Sequence, residues 1–181
     1  MSNEIGQSLD EVFDVVDAED RVISSNHRGE IHRLGLRHRA IHIFWRRTDG
    51  RICLQRRSFA KDHCPGLLSS SCAGHVDAGE TYQGAAVREL REELGVILPA
   101  SSLHEIDYAP SHPALGNEFV RAYFMEGDFT TTLARAEVDA ILWRYPQEID
   151  EWIHSAADWF APPLVHLLAR PAIRDKLSLR G

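Results

Sequence analysis

Long apolar runs are missing from this sequence. No stretch approaches the roughly 18–20 uninterrupted apolar residues that a membrane helix needs, so a membrane-embedded protein is not expected. Cysteine is scarce. The three present, Cys53, Cys64 and Cys72, form no CxxC pair and leave an odd one over. That argues against a disulfide scaffold and fits a reducing cytoplasm. The N-terminal MSNEIGQSLDEVFDVVD is acidic and lacks a basic stretch followed by an apolar core, so no secretory signal is read there. Internal repeats, low-complexity linkers and breaks in composition are absent too, and the 181 residues are expected to form one domain over 1–181, its core over 10–170. Overall basic excess is also lacking. Twenty Lys/Arg face 27 Asp/Glu for a net charge of −7, whereas duplex nucleic-acid binders are usually more basic.

What is present is an ordinary soluble composition, 44% apolar and 26% charged, with an uneven distribution of charge. Residues 28–61 hold ten Lys/Arg against Glu30 and Asp49, so that segment carries +8 and the remainder −15. A local basic surface on an acidic chain points to a ligand bearing phosphate. Arg56, Arg57 and Lys61 are the candidates to hold it, with Arg39 as a further one. Arg56 and Arg57 are neighbours on a predicted strand and point to opposite faces, so one of the two is expected to reach a site.

The local pattern predicts strands over 11–16, 39–47, 51–57, 103–109 and 118–126. Asp49-Gly50 between the second and third is a hairpin signal. Residues 58–72 read as a loop leading into a short strand. Helices are predicted over 81–94, with Thr81 as N-cap and Gly95 just past the end, over 146–155, and over 162–170, where Pro171 is read as the stop. Strands mixed with two or three helices imply α/β or α+β layering.

The helix over 81–94 carries the chemistry. At about 100° per residue, Glu89, Glu92 and Glu93 fall on one arc, while Ala86, Val87, Leu90 and Leu94 fall on a neighbouring arc that can face a core. Adjacent carboxylates repel, and a hard divalent cation such as Mg²⁺ or Mn²⁺ removes the repulsion. The segment before the helix sharpens this. Gly74, Glu80, Arg88, Glu89, Leu90, Glu92, Glu93, Gly95 and Val96 stand in the order G-x5-E-x7-R-E-U-x-E-E-x-G-U, with U apolar. The run resembles the Nudix box, the signature of the Nudix hydrolase family, with every fixed position filled. The resemblance implies an α/β/α sandwich around a mixed sheet, and Mg²⁺-dependent attack of water on a diphosphate, with Mn²⁺ as a substitute metal. It also implies metal ligation by Glu89, Glu92, Glu93 and the carbonyl of Ala73, with Glu80 and Arg88 orienting the carboxylates. No single Glu is assigned as general base. The partner implied is a small nucleotide or related diphosphate; a homodimer is left open.

Outside the box, FDVVDAEDRVI, RHRAIHIF at 37–44, LQRRS at 54–58 and WFAPPLVHLL at 159–168 resemble the isopentenyl-diphosphate-isomerase-like branch. Isomerases of that branch use a cysteine near the start of the box, a histidine-bound metal and a Glu-x-Glu pair. Here Cys72 lies one residue too far from Gly74, which His75 follows; His32 and His38 offer two further imidazoles, at a spacing one short of that pattern; Gly116 replaces the first Glu, and Glu118 matches the second. On those departures hydrolysis is the leading reading and isomerisation the alternative; a non-catalytic nucleotide sensor is a further alternative. Glu118 enters as a metal or base candidate through this resemblance. Cys72 is read as a small buried residue, and His32, His38 and His42 as surface or structural imidazoles.

Overall fold

The computed structural model describes residues 11–179; the signal-peptide reading rests on residues 1–17, of which the first ten lie outside them. The elements run β1 (Val12–Val16), β2 (Val22–His27), α1 (Arg28–Leu34), β3 (His38–Arg46), β4 (Ile52–Arg57), β5 (Leu68–Ser69), β6 (Cys72–His75), α2 (Tyr82–Leu94), β7 (His104–His112), β8 (Glu118–Glu126), β9 (Val138–Arg144), α3 (Pro146–Ala156), α4 (Pro162–Leu168) and α5 (Pro171–Leu177).

β3 is the central strand of a mixed seven-stranded sheet. It runs parallel to β8 along its whole length, from His38 beside Glu118 to Arg46 beside Glu126. Its other edge takes β6 antiparallel from Ala40 to Ile43, then meets β4 at Arg46 and Ile52. β9 and β5 extend the sheet beyond β4, and β7 beyond β8. The Asp49-Gly50 hairpin forms as predicted: Arg47 N donates to the Arg51 carbonyl at 2.9 Å, and Gly50 takes φ +86°, open to glycine. β1 and β2 make a separate antiparallel pair.

Side-chain alternation along β3 sorts the core into two layers. Ile41, Ile43 and Trp45 pack on one face with Ala86, Leu90 and Leu94 of α2. Ala40 and Phe44 pack on the other with Leu164 and Leu167 of α4 and Ile173 and Leu177 of α5. Each fully buried Leu or Ile contributes about 1.5–3 kcal/mol, so both helical layers are held by the same strand. The result is the α/β/α sandwich around a mixed sheet that the box implied.

Several elements differ from the sequence expectation. Pro171 does not end a region of helix; it occupies the first turn of α5, where its missing N–H costs nothing. α4 stops at Leu168. α1 has no side-chain N-cap, and β2 is polar and almost wholly exposed, so the first lacks a start signal and the second an apolar pattern. β9 is not among the expected strands either: it is defined by its pairing with β4, from Ile52 beside Arg144 to Arg57 beside Val138.

Candidate active site

The site grows from the junction of β6 and α2. Thr81 caps the helix, its Oγ1 accepting from Gly84 N at 3.1 Å. Gly95 closes it in the left-handed region at φ +68°. Gly74 has no room for a side chain: a Cβ there would lie 2.1 Å from Glu89 Cδ. The first glycine of the box therefore lets the helix carboxylate lie directly against the strand.

Arg88 gathers the acidic groups. Its guanidinium donates to Glu80 at 3.1 and 2.9 Å, to Glu89 at 2.8 Å, to Glu92 at 3.2 Å and to the His75 carbonyl at 2.9 Å. One arginine thus fixes the rotamers of three carboxylates and ties them to β6. Glu92 is half-exposed, while Glu93 is 3% exposed. Glu93 Oε2 accepts from Gln55 Nε2 at 3.2 Å and from Ala73 N at 3.4 Å. Burial, reinforced by Glu93 and opposed by Arg88, pushes the Glu89 carboxyl up to about 8. Burial raises Glu93 as well. Two buried carboxylates that disfavour each other's ionisation, with Glu92 and Ala73 adjacent, form an oxygen donor set fit for a hard divalent cation.

Beyond β6 lies a cavity of about 300 Å³, whose lining includes Ala73, Gly74, His75, Arg57, Lys61 and Glu118, with Pro113–Gly116 and Ala161–Pro163 as apolar wall. Here the structure brings together the three imidazoles that the isomerase-like resemblance offered. The nitrogens of His32, His38 and His75 lie within 4.8 Å of one another. Strand register explains the meeting: His38 stands beside Glu118, and His75 pairs with Ala40, two residues along the same strand. α1 adds His32. Glu118 Oε1 lies 3.2 Å from His75 Nε2 and 3.5 Å from His38 Nε2.

His38 Nδ1 is 2.9 Å from the Leu36 carbonyl. A carbonyl can only accept, so in the neutral ring Nδ1 carries the proton and Nε2 offers a lone pair. The Nε2 atoms of His32 and His38 are buried without a hydrogen-bond partner among the described residues. Burial pushes His75 down to about 4 and His32 to about 3, keeping both neutral. Imidazoles beside a carboxylate, one of them oriented by a backbone carbonyl, are the donor set of a borderline transition metal. His42, buried with its Nδ1 2.7 Å from Ser70 Oγ, also lines the cavity but lies outside the three-imidazole cluster.

Of the basic candidates, Arg57 and Lys61 line the cavity. Arg56 points away and pairs with Asp139. Arg39 binds Asp20 at 2.6 Å in a different depression. Cys72 is fully buried on the α2 face, its thiol pushed up by burial and then by Glu93 and Glu89. The cysteine that lines the cavity is Cys64. Gln55 of β4 and Glu137, just ahead of β9, reach the surroundings of Glu93 with no motif to announce them.

A family model for the NUDIX domain matches residues 36–178. The chain belongs to the Nudix family. Among curated Nudix relatives, an uncharacterised Nudix hydrolase of Nostoc is 32% identical over 145 residues, covering 80% of this chain and 86% of the relative. An isopentenyl-diphosphate Delta-isomerase of Serratia proteamaculans is 38% identical over 117 residues, but the match spans only 65% of that protein and 64% of this one. The crystal structure of the Deinococcus radiodurans protein DR0079 superimposes with a TM-score of 0.69 at 26% identity, covering 81% of this Nudix chain and 90% of that one. No described helix is long and apolar enough to cross a membrane.

Proposed function

We propose that this Nudix protein is a Mg²⁺-dependent hydrolase that cleaves the diphosphate of a nucleoside di- or triphosphate or of a nucleoside diphosphate linked to another group. The observation that carries the reading is the Arg88-centred carboxylate set, complete and oriented. When bound by Glu89, Glu92, Glu93 and the Ala73 carbonyl, the cation supplies charge neutralisation and a more acidic water. Arg88 holds the ligand carboxylates in place and Glu80 holds Arg88; the water proton passes to one of Glu89, Glu92 and Glu93 when that carboxylate is not itself bound to the cation. Arg57 is the basic group placed to receive a substrate phosphate from the cavity side; Lys61 also lines the cavity, but its ammonium is held by Glu137. Three free thiols fit a cytoplasmic setting.

The test is a product-resolved assay with Mg²⁺ on wild type and Glu93→Gln. The panel holds nucleoside di- and triphosphates, nucleotide sugars, coenzyme A and isopentenyl diphosphate. Cleavage that disappears in the variant supports the reading; no cleavage of any member with Mg²⁺ or Mn²⁺ rules it out.

A second reading, isopentenyl-diphosphate isomerisation, is favoured by the His32–His38–His75–Glu118 cluster. Against it, Cys72 faces the α2 core and not the cavity. Isomerised isopentenyl diphosphate with nothing cleaved in the same panel would establish this second reading.

A further inference from the structure

The box carboxylates share the buried end of α2 with a pair of charges from outside the box. The loop after β4 returns Lys61 to the interior, its side chain 3% exposed. The ammonium touches the Glu137 carboxylate and stands 4.0 Å from Glu93 Oε1. Backbone bonds fix this meeting. Ala134 N donates to the Glu93 carbonyl at 3.0 Å and Thr132 N to the Leu94 carbonyl at 2.8 Å, so the segment leading to Glu137 is docked on the end of α2. Ser58 N donates to the Glu137 carbonyl at 2.9 Å, and Lys61 N to the Ser58 carbonyl at 3.2 Å.

One ammonium therefore stands between two carboxylates and is in contact with only one. If it closed on Glu93, it would occupy the oxygen a divalent cation needs and repel that cation. Glu93 is meanwhile supplied with neutral donors, Gln55 Nε2 and Ala73 N, which orient it without competing for its charge.

We propose that Glu137 is a positioning residue for the metal site: it holds the Lys61 ammonium off Glu93 and keeps that carboxylate free for a divalent cation. The inference rests on the reading that Glu93 ligates the cation. It makes Lys61 an internal competitor of the metal and Glu137 its restraint.

The experiment measures Mg²⁺ affinity of chelator-treated protein without substrate, from the rise in melting temperature with Mg²⁺ concentration. Mg²⁺ is chosen because it prefers oxygen ligands and so reports on the carboxylates and not the imidazoles. Glu137→Gln, of unchanged shape, should weaken Mg²⁺ binding by roughly tenfold, the lower end for residues that orient metal ligands. Lys61→Met should bind Mg²⁺ at least as tightly as wild type, and Lys61→Met with Glu137→Gln should recover most of the loss. Wild-type affinity in Glu137→Gln overturns the inference. A double variant as weak as Glu137→Gln also overturns it, because Glu137 would then be a direct ligand. A wild type without Mg²⁺ response, while Glu93→Gln leaves hydrolysis intact, removes the underlying reading and the inference with it.

Discussion

Two residues apart on β6, Ala73 touches a set of carboxylates and His75 belongs to a set of imidazoles. Both sets are largely shielded, Glu92 excepted, and both offer the donor atoms a cation binds, yet they differ in origin and in chemistry. The carboxylates come from one helix and one preceding loop, held by Arg88. The imidazoles come from α1, β3 and β6, brought together by strand register. The first is a hard oxygen set suited to Mg²⁺; the second is a nitrogen-rich set suited to a borderline metal. On the proposed reading, the two donor sets are divided by which end of a four-residue strand faces them.

The strongest way to break that division is to remove one set and watch the other. Glu89→Gln should retain the fold and lower Mg²⁺-dependent hydrolysis by orders of magnitude, because it strips charge from the oxygen set without changing shape. Steady-state turnover checks it, and an unchanged rate would remove Glu89 from the site. The reciprocal variant is His75→Gln. Wild type should take up one Co²⁺ with the visible absorption of an imidazole-bound ion, and His75→Gln should lose it. Its effect on Mg²⁺-dependent turnover should fall well below that of Glu89→Gln. Equal losses would mean that the two sets form one centre.

The same contrast explains why spacing alone exposes one set, while the other is reached from the sequence only through the isomerase-like resemblance. Every carboxylate of the oxygen set lies in the box, those of the helix where spacing alone fixes the face, and Gly74 and Arg88 stand at the positions the box requires. The helix, its cap at Thr81, the Asp49-Gly50 hairpin and the layered fold are local signals of the same kind. The imidazole set is not local. His32, His38 and His75 are far apart along the chain, so no periodicity joins them; only the β3–β6 and β3–β8 registers do. Glu137 is hidden for the same reason, since its place depends on a loop docking on the end of α2. Pro171 misleads because a proline ends one helix as readily as it begins the next.

A smaller, sharper contrast is expected in the stability of the metal-free protein against pH. His75 and His42 are depressed to about 4 in the fold, from an ordinary 6.5. A base held neutral contributes stability that is present above the unfolded value and lost as pH falls through the folded one. The imidazole side therefore weakens the protein between about pH 6.5 and pH 4. Glu89 is raised to about 8 from 4.5. A carboxyl held protonated contributes stability that is complete below the unfolded value and lost as pH rises through the folded one, so the carboxylate side weakens the protein towards about pH 8. Melting temperature should pass through a maximum between these limbs. His75→Gln should flatten the acid limb and Glu89→Gln the alkaline limb; a profile that neither variant alters would refute both assignments.

The smallest effect expected separates the two thiols nearest the site. Cys72 belongs to the buried cluster on the α2 side and is not among the residues lining the cavity, so Cys72→Ala should cost about 1 kcal/mol through lost packing. For a chain of this size that lowers the melting temperature by about 2–4 °C, with turnover per folded molecule unchanged. Cys64 lies half-buried in the cavity wall, at φ +51°. Cys64→Ala should leave the melting temperature close to wild type, since little packing is lost. If instead Cys72→Ala abolished turnover while the protein stayed folded, a thiol on the carboxylate side would be taking part in the chemistry. The division of labour along β6 would then fail at its first residue.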